Sequence, residues 1–353
     1  MKPILLINNG YPSRKYPNYC SYIESIEACI KQSTKIPVQR NCIYYEKRKY
    51  KKVWNYIKWY LSFSFLRYPN YSFLYINHPT FALPLILPAI FFKVKMIFHW
   101  HGDELASQKI VPKYLRMLLQ FITKKHLGIL NIVPSYYFLN LLNNSLKIDK
   151  KQIMVSPSGG IDTSLYYPKS VNPNKEVCII GFSAAIVKEK GIEDFYNVIT
   201  KYQYLEETLK RRVYFKFINY GKSSSEFIER LSKYKDHIII SNRMSNNEMP
   251  SFYNSIDLLF MPSKRKGESL GLVSLEAMSC GVPVLAYNVN AYPEFIVPGI
   301  SGELLTSDVE LDVILDTIVY IIKRKEFYNP RSIVMKSYSK QYVINQYKEI
   351  FDR

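Results

Sequence analysis

Short apolar runs punctuate the chain at regular intervals. Ile4 to Ile7, Ile36 to Tyr45, Phe73 to Ile76, Val94 to His99, Gly128 to Val133 and Gln152 to Val155 are rich in β-branched and aromatic residues, with segments of helix length between them. Alternation of this kind predicts βαβ units and a parallel sheet. It pauses over the polar, proline-containing stretch Pro168 to Lys175 and restarts with Val177 to Phe182, Val213 to Ile218, His237 to Ile240, Leu258 to Met261 and Val282 to Ala286. Residues 308–325 and 331–350 then read as two terminal helices with no strand between them. The expected architecture is α/β, two Rossmann-like, doubly wound parallel-sheet domains over 1–168 and 169–330, with a C-terminal helix over 331–353 that packs back on the first. Ligands bind outside the carboxyl ends of such strands, so two domains of this type facing one another would form a cleft lined by loops from both.

Composition narrows the class. With 353 residues and 48% hydrophobic content the chain fills two cores, and 31 tyrosines argue against disorder. The opening residues after Lys2 hold too short an apolar run for a signal peptide. The window Phe81 to Phe92, about a dozen residues with Pro84 and Pro88 inside, is shorter than the roughly 20 that a spanning helix needs. Five scattered cysteines without a CxxC pair fit neither a disulfide framework nor a structural zinc site, and a reducing cytoplasm is expected. The net charge of +19 is uneven: residues 1–170 hold 24 basic and 7 acidic side chains, residues 171–353 hold 24 and 22. An anionic partner is therefore expected for the first half alone, a membrane surface or a nucleic acid.

Candidate chemistry concentrates between Met261 and Pro283. An apolar strand leads into a polar loop, a turn at Gly267 and a helix that stops before Gly281. Glu268 is expected in the loop or first turn and Glu276 two turns in, up to about 12 Å further along the axis. The amides around Ser269, Leu270 and Gly271 read as the unpaired donors of a helix N-terminus, which attract phosphate, and Gly271 permits close approach. A carboxylate on each side of an anion-binding turn suits a sugar diphosphonucleoside, with Glu268 on sugar hydroxyls and Glu276 on the ribose diol. The plain alternative is two glutamates on an ordinary amphipathic helix, with Glu268 serving only the helix dipole.

These residues resemble the family 4 retaining glycosyltransferases, which have the GT-B fold. The E-x7-E pattern is met by Glu268 and Glu276, within a longer match from Ser245 to Asp257 through Pro262-Ser263, Glu276 to Val284 and Pro293-Glu294 to Gly302; a second match runs from Val155 to Thr163 with Pro168. The resemblance implies that Glu268 contacts the transferred sugar, Glu276 the ribose and the 269–271 amides the diphosphate, and that Lys190, before Gly191, neutralises the leaving diphosphate. The arginine that the family commonly carries five residues before that lysine is replaced by Ala185, leaving Lys188 or the basic run 264–266 as possible support. In Phe98 to Asp103, His101 matches the family's His-Gly element and is implied to touch the donor sugar near the reacting carbon. His99 and His101 alternate on one strand face, a spacing that also suits a metal, but no third ligand is evident and no metal is expected. Gly10, in the expected loop after the first strand, stands where such folds approach a diphosphate or acceptor. No Asp-x-Asp motif occurs, so the mechanism implied is metal-independent, with no cofactor and a UDP-sugar as donor substrate.

Residues 47–61 place six cations beside an apolar stripe of Val53, Ile57, Tyr60 and Leu61. Either this is an interfacial helix meeting anionic lipid or a solvated helix packed on its own sheet. The resemblance implies a lipid-linked saccharide acceptor for O-antigen, capsule or lipopolysaccharide synthesis at the inner face of the cytoplasmic membrane. A sugar-nucleotide epimerase and a basic nucleic-acid-binding protein are the competing readings; no nucleic-acid motif is recognisable.

Overall fold

Every apolar run of the first half becomes a strand. In a computed structural model that describes residues 1–16, 19–102, 113–125, 128–169 and 176–352, β1 (Ile4–Tyr11), β2 (Val38–Tyr44), β3 (Phe73–Asn77), β4 (Lys95–His99), β5 (Ile129–Val133) and β6 (Ile153–Val155) form a six-stranded sheet of order β2-β1-β3-β4-β5-β6. All its pairings are parallel. Helices α1 (Tyr22–Ser33), α2 (Lys49–Leu61), α3 (Leu83–Phe91), α4 (Lys113–Lys125) and α5 (Tyr136–Leu146) follow the strands in turn. Strands with apolar residues on both faces need cover on both, and right-handed crossovers decide which helix covers which face. Trp59, Leu83, Ile86, Leu119, Ile122 and Phe138, from α2 to α5, share one core with Leu5, Ile76 and Phe98. Ile23, Ile26 and Ile30 of α1 share the other with Ile4, Leu6 and Ile97.

The second half repeats the scheme with β7 (Val177–Phe182), β8 (Arg212–Ile218), β9 (Ile238–Ser241), β10 (Leu258–Met261), β11 (Val284–Tyr287) and β12 (Gly302–Leu305), ordered β12-β11-β10-β7-β8-β9 and again parallel. Its helices are α6 (Ile192–Thr200), α7 (Tyr202–Leu209), α8 (Ser224–Arg230), α9 (Met249–Tyr253), α10 (Leu272–Ser279), α11 (Leu311–Lys323) and α12 (Pro330–Ser337), followed by α13 (Lys340–Phe351). Proline at the start of α3, α9 and α12 sits where a missing N–H costs nothing.

Two features differ from the expectation. β12 lies in Gly302–Leu305, a run too short to stand out as a strand, and it is stabilised by its register with β11, Val284 opposite Gly302 through Tyr287 opposite Leu305. The single helix expected over 331–350 is two. The backbone leaves the helical region between them at Tyr338, whose carbonyl accepts the Ile161 N–H at 2.8 Å.

The chain divides into two units: Met1–Gly160 with Gly267–Leu270 and Lys340–Arg353, and Ile161–Lys266 with Gly271–Ser339. The linker expected over 168–175 falls after the start of the second unit, and its residues 170–175 lie outside the described residues. Helix α13 contributes Val343, Ile344, Tyr347 and Phe351 to the α1 core of the first unit, where the Tyr347 and Tyr75 hydroxyls meet at 2.7 Å. None of the five cysteines is in a disulfide. Among the described residues no helix is long and apolar enough to cross a membrane.

Candidate functional site

In the second unit the strand β10 ends at Met261 and the chain runs through 262–266 before turning toward α10. The turn Lys188–Lys190 is tied to that loop, since the Lys264 N–H donates to the Glu189 carbonyl at 3.0 Å. Gly191 follows with φ +79°, and a Cβ there would stand 2.0 Å from the Pro262 carbonyl oxygen, so only glycine fits. The pair Lys190-Gly191 thus lies beside the segment that leads into α10. Lys264 itself is engaged: its Nζ is 3.0 Å from Asp194 Oδ2 and lies over the Tyr287 ring.

Helix α10 begins later than its sequence suggests. Gly271 takes φ +81°, with the Tyr292 and Phe295 rings 3.1 and 3.2 Å from where a Cβ would be, and helical geometry starts at Leu272. Ser274 and Leu275 donate to the Gly271 carbonyl, so the amides of Leu272 and Val273, rather than those of Ser269 and Leu270, are the first of the helix and have no intrahelical acceptor. Glu268 consequently lies ahead of the helix, not in its first turn, and the straight axial spacing expected between Glu268 and Glu276 does not apply. Residues 267–270 belong instead to the first unit.

Glu276 sits on α10 with its carboxyl recessed and half-buried. The Tyr253 hydroxyl donates to its Oε2 at 2.7 Å. Burial pushes this carboxyl up to about 7, and hydrogen bonds from Tyr253 and Tyr166 hold it back from going further. Behind it Arg331 donates to the carbonyls of Tyr166, Ser279 and Thr163 at 2.7, 2.6 and 3.0 Å, locking the end of α10 to the 163–166 segment. Tyr166 and Tyr253 as partners of Glu276, and Arg331 as the tie at the end of α10, were invisible to sequence reasoning. Only its position in the 245–257 run resembling a known family marked Tyr253, and nothing local marked Tyr166 or Arg331.

In the first unit, His101 lies two residues past the end of β4 and is buried. Its Nε2 is 2.9 Å from Asn77 Oδ1, and its ring lies 4.2 Å from that of His99, 4.8 Å from His78 and 4.9 Å from Tyr22. Burial first, then the neighbouring His99 and His78, hold its pKa well below the usual histidine range, so it is neutral at pH 7. His99 is likewise pressed down to about 3 by burial, and its Nδ1 meets the Tyr75 hydroxyl at 2.8 Å. Among the described residues no group of three or more His, Cys, Asp or Glu is arranged to hold a metal ion. Asp103, the end of the run containing His101, lies outside the described residues.

The 267–270 segment approaches these residues: a Cβ on Gly102 would stand 3.1 Å from the Gly267 carbonyl oxygen, and Ser135 donates to the Ser269 carbonyl at 2.7 Å. Glu268 is therefore carried into the neighbourhood of His101. Ser269 offers its carbonyl to the protein, and Leu270 buries its side chain. Gly10 is not in a loop. It belongs to the bulged end of β1, where register with β2 shifts between Asn8 and Tyr11, and a Cβ there would meet Tyr19 and Cys20 at 2.8 and 2.9 Å. The glycine makes room for the protein's own side chains.

A row of polar atoms that sequence reasoning missed lies at the same strand ends. Asn77 pairs with His99 across β3 and β4, and Asn8 is one residue beyond the Ile7–Ile76 pair. Asn8 Oδ1, Asn77 Nδ2 and His99 Nε2 are buried without a hydrogen-bond partner among the described residues. Each such atom costs about 1–3 kcal/mol. A hydroxyl-rich ligand or water reaching them would remove that cost.

Two parallel, doubly wound sheets with these features at their carboxyl ends define a GT-B architecture. The Anabaena protein HepE, solved in complex with UDP and glucose, superimposes with a TM-score of 0.70 at 14% identity, covering 99% of both chains. Residues 166–337 match the family glycosyl transferases group 1. A 41.2 kDa protein of the cps region of Klebsiella pneumoniae is 32% identical over 52% of this chain and 49% of its own. The lipopolysaccharide 1,2-N-acetylglucosaminetransferase of Salmonella typhimurium is 30% identical over 31% of this chain and 30% of its own. The chain thus aligns with half or less of the length of these relatives.

Proposed function

We propose that the protein is a retaining, metal-independent glycosyltransferase that moves a hexosyl residue from a UDP-sugar to a lipid-linked saccharide acceptor in the synthesis of O-antigen, capsule or lipopolysaccharide. The observation that carries this reading is the recessed Glu276 on a glycine-started helix of a glycosyl transferases group 1 domain, with the Lys190 turn tied to the loop before it. Glu276 accepts hydrogen bonds from the ribose diol. The Leu272 and Val273 amides and Lys190 hold the diphosphate, and they stabilise the charge that develops on it as the glycosidic bond breaks. Glu268 takes hydroxyls of the transferred sugar. His101, kept neutral, contacts the same sugar rather than removing a proton. The acceptor hydroxyl attacks the anomeric carbon on the face the diphosphate leaves, forming the new C–O bond as the old one breaks, and its proton passes to the departing phosphate oxygen. The UDP is supported by the Anabaena complex and the cell-surface product by the relatives from a cps region and lipopolysaccharide synthesis, the acceptor and the membrane by the basic run 47–61 that contains α2.

A thermal-shift screen of UDP-, GDP- and ADP-sugars tests this reading. A UDP-sugar is expected to stabilise the wild type and to lose that effect in Glu276→Ala, whereas Glu268→Ala keeps nucleotide binding and loses transfer. No stabilisation by any nucleotide sugar would remove the transferase reading, and equal loss of binding in both variants would contradict the division of roles.

A further inference from the structure

Helix α2 does not turn its expected stripe outward as a unit. Tyr60 is half-buried against Trp59 and Tyr56, and the Trp59 indole donates to the Asn41 carbonyl, while Tyr50, Val53, Trp54, Ile57 and Leu61 face solvent. The apolar exposure continues beyond this helix. The turn Ser62–Phe65 extends it and touches α3. Phe65 is 84% exposed and Phe91, on α3, 81%. Leu87 lies one helical turn before Phe91, and Met117 and Phe121 repeat the spacing on α4, all exposed. Helices α2, α3 and α4 cover the same face of the sheet, since their inward side chains share one core. Their outward sides therefore share one surface, and large exposed apolar patches on a soluble domain mark interaction sites.

Charge says what the surface meets. From residue 47 to residue 148 the sequence holds fifteen Lys and Arg and two carboxylates, Asp103 and Glu104. Helix α2 has no acidic residue, whereas α1 on the opposite face carries Glu24 and Glu27. A two-fold contact with a second copy would set cations against cations. Nucleic acid would satisfy the lysines and leave Phe65 and Phe91 in water. An anionic bilayer satisfies both, because rings enter the acyl boundary while lysine stems reach the headgroups.

We propose that this whole face, not α2 alone, is an anionic-bilayer docking surface, in which Phe65 and Phe91 insert as wedges flanked by Trp54, Leu61 and Leu87, and Lys51, Lys52, Lys58 and Lys93 contact headgroups. The proposal rests on the membrane reading of α2 and deepens it from charge attraction to insertion. Insertion keeps the protein on the bilayer at salt concentrations that screen charge.

The test is cosedimentation of the full chain with phosphatidylglycerol/phosphatidylcholine vesicles at 0.1 and 0.5 M NaCl. The wild type is expected to stay bound in part at the higher salt. Phe65→Ser with Phe91→Ser, both exposed positions, should lower partitioning about tenfold per ring without changing the melting temperature. Brominated acyl chains should quench the tryptophan fluorescence of the unmodified protein. If the double variant partitions like the wild type while Lys47, Lys49, Lys51 and Lys52→Glu releases the protein, the extended face is wrong and charge on α2 alone is right. No binding by the wild type overturns both readings. A wild-type dimer that the double variant dissolves, or DNA binding that the double variant weakens, would give the face a different occupant and overturn the proposal.

Discussion

Glu276 is a carboxylate that the fold makes reluctant to ionise, and the role proposed for it on a ribose diol needs it ionised. Burial raises it to about 7, while the Tyr253 and Tyr166 hydroxyls oppose that rise. Because the folded value lies above the ordinary one, the stability contributed by the protonated form is fully present below the ordinary glutamate range and is lost as pH rises through about 7. Donor binding runs the other way, since a ribose diol donates to a carboxylate and not to a neutral acid. Affinity for the nucleotide sugar should therefore fall as pH drops below about 7, approaching tenfold per unit. Removing the Tyr253 bond, by Tyr253→Phe, should move the midpoint to higher pH and leave alkaline affinity nearly intact. Calorimetric titrations from pH 6 to 9 read both; a midpoint unmoved in Tyr253→Phe would mean that the tyrosine does not position the carboxylate. None of this coupling is legible in sequence, because Tyr166 and Glu276 are far apart in the chain and only the folded second unit brings them together.

At the level of elements, the part of the chain that matches glycosyl transferases group 1 depends on two left-handed glycines that join turns to helices. Gly191 starts α6 and lies against Pro262, and Gly271 starts α10 against Tyr292 and Phe295. Gly191→Ala places a methyl group within the Pro262 carbonyl and strains φ, which should cost roughly 2–4 kcal/mol and lower the melting temperature of the second unit by ~6–10 °C. Differential scanning calorimetry with and without a UDP-sugar measures the loss, and the same displacement should weaken donor binding by moving Lys190. The apolar runs made all but one of the strands recognisable, as their buried, β-branched residues require cover on both faces. The start of α10 was placed too early by the same local logic: the amides around Ser269, Leu270 and Gly271 read as the helix N-terminus, and only the crowding around Gly271 shows why the helix waits until Leu272.

For the whole molecule, the first unit is completed by the end of the chain. Val343, Ile344, Tyr347 and Phe351 of α13 are buried in its α1 core. Deleting residues 340–353 would uncover these partners at roughly 1.5–3 kcal/mol each, comparable to the total stability of a domain. The truncated chain should lose the cooperative unfolding of the first unit, seen as one missing calorimetric transition; retention of both transitions would show that α13 is dispensable. Sequence by itself determined the parallel α/β architecture and the concentration of positive charge in residues 1–170, and it marked two carboxylates and a lysine as candidates, because periodicity, composition and short motifs are local properties of the chain. Tertiary structure alone decided that the helix expected over 331–350 breaks at Tyr338, that Tyr253 and Tyr166 set the state of Glu276, and that α2, α3 and α4 turn apolar sides to solvent on one face. Those outcomes depend on which residues distant in sequence share a desolvated environment, and packing creates that environment only when the chain is folded.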